Sequence, residues 1–271
     1  MSKDQTLISR KYKRVSRGRE VVHRFRQNKG AMLGLFIILV TVIIALTVDL
    51  WIDYDTQIVA INGREKLQYP SAEHWMGTDE YGRDIFFRLL YGTKYSISVG
   101  FVSVLIAMFI GTILGALAGY YGGALDNAIM RTVDVFAAVP MILTGIVIVS
   151  ALGPTTFNLM LAVGISSVPG FVRITRAAVL TTRNSEYVHA ARSIGLPEWK
   201  IVFTHVLPNC LSPIIVQATL RIGSAIVAAS SLSFLGMGVP VPAPEWGSML
   251  SAGRKYIRRY SYMCLFPGLA I

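Results

Sequence analysis

Few residues in this chain have the types and spacing that chemistry requires. The four histidines, His23, His74, His189 and His205, are scattered. His74-Trp75-Met76 offers one metal contact, but a metal site needs several converging ligands, so His74 reads as a solvated loop residue. Cys210 and Cys264 lie in apolar runs with no CxxC spacing, and they read as inert buried thiols. No HExxH, GxSxG or GxxxxGK[ST] pattern occurs. Metalloprotease, serine-hydrolase and phosphate-loop chemistry are therefore not expected. Two features remain. Arg221 sits in a long apolar run with no carboxylate nearby in sequence; a charge in such a place faces a partner or a wet cavity. Residues 184–208 punctuate a polar stretch with Asn, Ser, Gly and Pro at positions that start and stop helices.

The elements that must position these features are membrane spans. Hydrophobic residues make up 53% of the 271 and charged residues only 15%, against about 25% charged in soluble domains. Mean hydropathy is +0.53. The net charge is +11, and its location decides its meaning. Residues 1–30 hold ten of the 26 Lys and Arg, with only Asp4 and Glu20 as acids. An apolar run follows at once, so this is a cytoplasmic basic tail and not a nucleic-acid arm. It is too long for the n-region of a cleaved signal peptide.

Apolar runs of about twenty residues place spans at 31–50, 95–119, 128–152, 157–171 and 210–235, with a sixth opening near Tyr262. Residues 51–93 carry seven acids against four bases and are assigned outside. Residues 173–200 carry five bases against two acids and are assigned inside. Arg254, Lys255, Arg258 and Arg259 crowd the outer end of the last span and run against this topology. Pro140 suggests a kink in the third span, Pro169-Gly170 a break near the end of the fourth, and Arg131 with Asp134 a salt bridge at i, i+3. The sixth span stops at Ile271, about half a bilayer's worth, so the natural chain is expected to continue.

Ser103, Ala107, Gly111, Gly115, Gly119 and Gly123 recur every four residues. They form one stripe of small residues, which lets another helix approach closely.

The segment at 184–208 is the most informative. Asn184 and Ser185 are helix N-cap types, a short helix fits 186–194, and Gly195 stops it. Pro197 suits the first turn of a second helix, expected to present Trp199, Ile201, Val202 and Phe203 and to end before Pro208. The result is a helix–Gly–helix elbow on the cytoplasmic face. Ala190 and Ala191 are small enough to let the first helix slot into a partner's groove, with Glu186 and Arg192 available for charges there.

Here the sequence resembles a known family. His189-Ala190-Ala191-Arg192-Ser193-Ile194-Gly195, followed by Leu207-Pro208, looks like the "EAA" loop of permease subunits of bacterial ATP-binding-cassette importers, with His189 in place of the family's Glu. Met76-Gly77-Thr78-Asp79-Glu80-Tyr81-Gly82-Arg83-Asp84 is similar to a segment of the dipeptide, oligopeptide and nickel branch. So are Leu232 to Gly238, Pro244-Glu245-Trp246-Gly247 and Phe266 to Ile271. The match runs from about residue 20 onward and looks most like the second, "C" type of permease.

That resemblance implies an all-α polytopic bundle of six spans, the type I importer permease fold, with the last span incomplete. The expected layout is a tail at 1–30, a first span at 31–50, an extracytoplasmic segment at 51–93 and a core permease domain at 94–271. It implies a bacterial plasma membrane, a second permease chain, one or two ATPase subunits holding ATP and Mg, and an extracytoplasmic solute-binding protein. The chain itself would bind no cofactor and catalyse nothing. It would form half of a pathway for di- or oligopeptides, coupled to ATP hydrolysis through Glu186, His189, Ala190, Ala191, Arg192, Gly195, Leu207 and Pro208. Arg221 is the pathway candidate, suited to a peptide carboxylate. Gly77, Asp79, Gly82, Arg83, Asp84, Glu245 and Trp246 are candidates for an outer gate or a binding-protein contact. Nickel or metal-chelate import in the same branch is the alternative substrate. An ATP-independent channel is the alternative of another class; a membrane-embedded enzyme lacks the acids it would need, and a scaffold would not need the elbow.

Overall fold

The computed structural model describes residues 25–271; most of the basic tail, with Asp4, Glu20 and His23, lies outside the described residues. The chain divides into two units, Met1–Leu46 and Thr47–Ile271. The first contains nearly all of α1 (Lys29–Thr47), an apolar helix with no buried residue of its own. With the short turn Val48–Leu50 it makes a 22-residue helical stretch, about 33 Å long and enough to cross a hydrocarbon core of about 30 Å.

The second unit is built on α2 (Ile85–Tyr121), 37 residues long. The sequence places this span's start at Tyr95. The helix begins ten residues earlier because Asp84 caps it, its carboxylate accepting the Phe86 and Phe87 N–H groups at 2.8 and 3.3 Å. Hydropathy senses the apolar middle of a helix and not its capped end.

The third expected span is two helices, α3 (Gly123–Ala138) and α4 (Met141–Leu152), bent by 91°. A kink was expected at Pro140; the bend is a right angle. Val139 is extended, with ψ 128°, as the residue before proline prefers. Arg131 and Asp134 do not pair as expected; Asp134 instead accepts from Arg173 Nη2 at 2.8 Å.

Next comes α5 (Thr156–Thr182), which runs through Pro169 without a break and absorbs ten residues assigned to the cytoplasmic loop. Proline removes one helical hydrogen bond; the neighbouring Phe171 and Val172 are fully buried and hold the helix. Then follow α6 (Glu186–Ser193), α7 (Glu198–Ile201), a wide π turn (Val202–Val206), α8 (Leu207–Leu232), a second π turn (Ser233–Met237), α9 (Trp246–Gly253) and α10 (Tyr262–Ala270). The segment expected to end before Pro208 continues from Glu198 to Met237, 40 residues in all. Pro208 falls in the first turn of α8, and the π turn that precedes it within the continuous helix accommodates the ring.

Six spans were expected. Among the described residues, four helical stretches are long and apolar enough to cross a membrane, or five if α3 and α4 count as one.

The core of the second unit lies where α2, α5 and α8 meet. A Cβ on Gly111 would lie 2.4 Å from Phe171 Cβ, one on Gly115 2.6 Å from the Val172 carbonyl oxygen, and one on Gly119 2.9 Å from the Arg176 carbonyl oxygen. Ser103 Oγ donates to the Met160 carbonyl at 3.0 Å, and Ala107 is fully buried. Gly123, the last position of the stripe, faces open space.

Gly115→Val inserts a branched side chain where backbone already stands, an overpacking cost of about 1–3 kcal/mol. The variant should lose several degrees of thermal stability in detergent. Gly223→Ala, at a helical position with nothing within 4 Å, should cost nothing. Equal melting of the two variants would contradict this packing.

Candidate coupling elbow and the opposite face

The elbow forms because each end of α6 has a stop signal. Ser185 is extended and starts it. Gly195, at φ +80°, ends it in the left-handed region that side chains with a Cβ resist, and its N–H donates to the Arg192 carbonyl at 3.0 Å. Pro197 then precedes α7.

Of the two alanines, Ala191 is buried with Val188 against the chain's own core, while Ala190 is exposed. The outward surface also carries Glu186 and His189. Of the four apolar groups the second helix was expected to present, Trp199 and Phe203 are 63% and 64% exposed, whereas Ile201 and Val202 are buried in the chain's own core; Ile194, 77% exposed, and Tyr187, 44% exposed, are the apolar groups that sequence reasoning missed. Large exposed apolar groups around a sharp turn mark a surface made to be covered. Leu207 is half-buried and Pro208 exposed, at the start of α8.

Arg192, expected to be available for charges in a partner's groove, here pairs within the chain while remaining partly exposed. Its Nε donates to Glu198 Oε1 at 3.0 Å and its Nη2 to the Tyr120 hydroxyl at 3.1 Å. The Tyr120 hydroxyl donates in turn to Glu198. The Glu198 carboxylate, followed by the Tyr120 hydroxyl, raises the Arg192 guanidinium above its ordinary pKa. Arg183 Nη1 donates to the carbonyls of Gly119 and Tyr120 at 2.9 and 3.2 Å. Arg176 pairs with both oxygens of Asp126 at 2.5 and 2.6 Å. The elbow is thus pinned to the last turn of α2, the turn that carries the end of the glycine stripe.

Arg221 lies in the middle stretch of α8, half-buried. Its guanidinium rests over Gly170 of α5, where a Cβ would come within 3.1 Å of Nη2. No carboxylate pairs with it among the described residues.

At the far end of α2, two segments that are remote in sequence converge. In the first, Asp79 accepts the Tyr81 and Arg83 N–H groups and pairs with Arg83 Nε at 2.7 Å. Gly77 and Gly82 turn the chain at φ +77° and +78°; a Cβ on Gly82 would collide with the Asn62 carbonyl. In the second, Glu245 is 1% exposed and caps α9, accepting the Gly247 and Ser248 N–H groups at 2.9 and 2.8 Å. Burial pushes its carboxyl above the usual range, opposed by those two N–H groups. Trp246 docks on α2, its Nε1 donating to the Leu89 carbonyl at 2.9 Å and its backbone N–H to Ser96 Oγ at 3.2 Å. Arg88, which sequence reasoning passed over, ties both segments together. Its guanidinium donates to the carbonyls of Ile58 and Pro242 at 2.5 and 3.4 Å, and its Nε lies 3.6 Å from Asp79. An arginine at the edge of an apolar run was the available signal.

His74 is not the solvated residue expected. Its side chain is 12% exposed, with Nδ1 2.8 Å from Asp84 Oδ2 and Nε2 3.6 Å from Glu65 Oε2. The fold closes the 65–84 segment over it. No cluster suited to a metal ion occurs among the described residues.

The profile of the family described as the binding-protein-dependent transport system inner membrane component matches residues 111–271. That of the N-terminal transmembrane domain of oligopeptide transport permease C matches residues 16–70. The chain belongs to the first family: it is a permease subunit of a binding-protein-dependent, ATP-binding-cassette transport system. The dipeptide transport permease of Alkalihalophilus pseudofirmus is 45% identical over 260 residues, covering 96% of this chain and 85% of that one. The glutathione transport permease of Pectobacterium atrosepticum is 43% identical over 254 residues, covering 93% and 84%. A solved structure of the MetNI methionine ABC transporter, in inward-facing conformations, matches with TM-score 0.57 at 18% identity over 68% of this chain and 88% of that one; this likeness concerns the fold.

Breaking the inward brace should loosen the elbow alone. In Arg192→Ala, amide hydrogen exchange at 186–195 should quicken a few-fold while α2 and α5 stay protected, since exposed ion pairs stabilise locally and modestly. Unchanged exchange would remove the brace.

Proposed function

We propose that this chain is the C-type permease of a peptide importer, forming half of the translocation pathway for di- or oligopeptides across a bacterial plasma membrane. The observation that carries this reading is the elbow: an exposed apolar surface at a fixed turn, pinned through Arg192, Glu198 and Tyr120 to a helix that spans the unit. The peptide and glutathione assignments of the relatives support the substrate class. The side bearing the elbow is cytoplasmic in this reading, together with the N-terminus.

A cytoplasmic ATPase subunit covers Tyr187, Ala190, Ile194, Trp199 and Phe203. When the ATPase pair closes on ATP and Mg, the elbow moves. The brace passes that displacement to the end of α2, whose glycine stripe fits closely against α5, so the two helices move as one body. Packed helices respond to such input as rigid units. ATP chemistry belongs to the partner, and this chain acts as a non-catalytic lever. A second permease supplies the other wall, and a solute-binding protein delivers substrate at the opposite face. Arg221, without a carboxylate partner, faces the pathway and attracts the peptide carboxylate.

Two variants of the assembled importer test this. Gly195→Val puts a β-branched residue at φ +80°, a strain of about 1–2 kcal/mol, and should uncouple: peptide uptake falls at least tenfold while the subunits still co-purify. Arg221→Ala should lower uptake with the peptide-stimulated ATPase still responding to ATP. Normal uptake in Gly195→Val would contradict elbow coupling, and normal uptake in Arg221→Ala would remove Arg221 from the pathway.

A further inference from the structure

The turn between α9 and α10 contains Arg254-Lys255-Tyr256-Ile257-Arg258-Arg259, the run of bases that goes against the topology expected from charge. All four bases are exposed. None forms an ion pair among the described residues. The Arg254 guanidinium lies 4.9 Å over the Phe234 ring and that of Arg259 5.7 Å over the Tyr260 ring; a ring face orients a cation without cancelling its charge. Lys255 also borders a cavity of about 470 Å³ beside the start of α2, with Asp79 and Glu80 on its walls. Asp79 is already taken by Arg83 at 2.7 Å. Four positive charges thus stand close together without a carboxylate from the described residues to meet them.

The run is fastened to its surroundings. The Tyr69 hydroxyl donates to the Arg259 carbonyl at 2.8 Å, and the rings of Tyr69 and Tyr256 pack on Tyr260 with centroids 5.3 and 6.5 Å away. Its level along the fold is set as well. Tyr262 packs with Ile85, the first residue of α2. Tyr120, which anchors the elbow, stands 35 residues further along that helix (120 − 85), about 52 Å at the α-helical rise. The run therefore lies at the end of the unit opposite the elbow. Tyr262 also opens α10, an apolar helix that exposes Leu265 and Leu269. Bases and tyrosines abutting an apolar helix mark the headgroup level of a bilayer. Ile257, exposed between the bases, suits the boundary between headgroups and acyl chains and serves no purpose in a turn that faces water alone.

We propose that this turn is a docking surface for anionic phospholipid, with Lys255 and Arg258 taking the headgroup phosphate and Ile257 meeting the acyl chains. Arg254 and Arg259, held over their rings, flank the site and add to its field. A zwitterionic headgroup carries the same phosphate, but its ammonium is repelled by the four bases, so the surface selects lipids of net negative charge. An acidic protein would match the charge equally well; the exposed Ile257 and the adjoining apolar helix favour lipid. The bases at 254–259 then serve to anchor the α9–α10 turn to the membrane surface, a purpose the positive-inside tendency does not give them. This goes beyond the importer reading and needs neither substrate nor nucleotide.

The test uses the assembled importer in nanodiscs of phosphatidylcholine with a minor, fixed share of phosphatidylglycerol. Ile257→Cys carries a bimane label, and the parent complex treated identically supplies the background to subtract. Bromine, which quenches bimane on contact, is placed on the acyl chains of the phosphatidylglycerol or on those of an equal amount of the phosphatidylcholine. The brominated phosphatidylglycerol should quench at least twofold more. That preference should vanish at about 1 M salt, where the Debye length is about 3 Å, and in Lys255→Gln/Arg258→Gln. It should survive in Lys255→Arg/Arg258→Lys, which keeps both charges. Unchanged quenching by brominated phosphatidylcholine verifies that the turn keeps its depth in each variant, and the comparison of the two lipids in the labelled complex needs neither double variant. No quenching by either lipid, equal quenching by both, or a preference that persists in Lys255→Gln/Arg258→Gln would overturn the proposal. Equal quenching by both lipids, with bimane emission shifting only when a solute-binding protein is added, would assign the run to that protein instead.

Discussion

The close approach of α2 and α5 is the constraint on which the rest depends. Where Gly111, Gly115 and Gly119 meet Phe171, Val172 and Arg176, one helix's backbone touches the other helix. In a membrane, lipid competes with side chains on equal terms for apolar contact, and close backbone packing supplies the specificity that hydrophobicity cannot. This seam makes two long helices a single body. It also explains why a proline at position 169 does not break α5: the residues on either side of the lost hydrogen bond are locked in the seam.

A rigid pair of helices connects two ends with different chemistry. At one end, a glycine-stopped elbow presents aromatic and aliphatic groups outward and fastens itself inward through Arg192, Glu198 and Tyr120. At the other, Arg88 draws the 54–59, 79–84 and 242–247 segments around the start of α2, and a charged cavity lies beside them. Each end is held by charge-assisted contacts to α2 itself, so movement at either end reaches the helix directly. A subunit that couples ATP hydrolysis elsewhere to a pathway within itself needs this arrangement.

Much of this was legible in the sequence, and the failures are of two kinds. The stripe of small residues and the elbow are local patterns, set by spacing at four and by Ser185, Gly195 and Pro197, and local patterns survive folding. Element ends were misplaced where hydropathy alone set the boundary or where packing overrode it. The Asp84 cap, a local signal that hydropathy does not sense, extended α2 beyond its apolar run, a π turn carried the second elbow helix through Pro208, and the seam carried α5 past Pro169. Partnerships between distant residues left no local trace. Arg192 meets Tyr120, 72 positions away, and Arg88 meets Pro242, 154 positions away. His74 appeared solvated because nothing nearby in sequence announces that Glu65 and Asp84 fold over it.

The central claim is that the elbow docks on an ATPase that drives the pathway. Its most direct test is gentle affinity purification of the chain from its native membrane, with mass identification of every protein retained. The account predicts a second permease and at least one ATP-binding-cassette ATPase in stoichiometric amounts. Recovery of this chain alone, under conditions that keep control transporters intact, would contradict it.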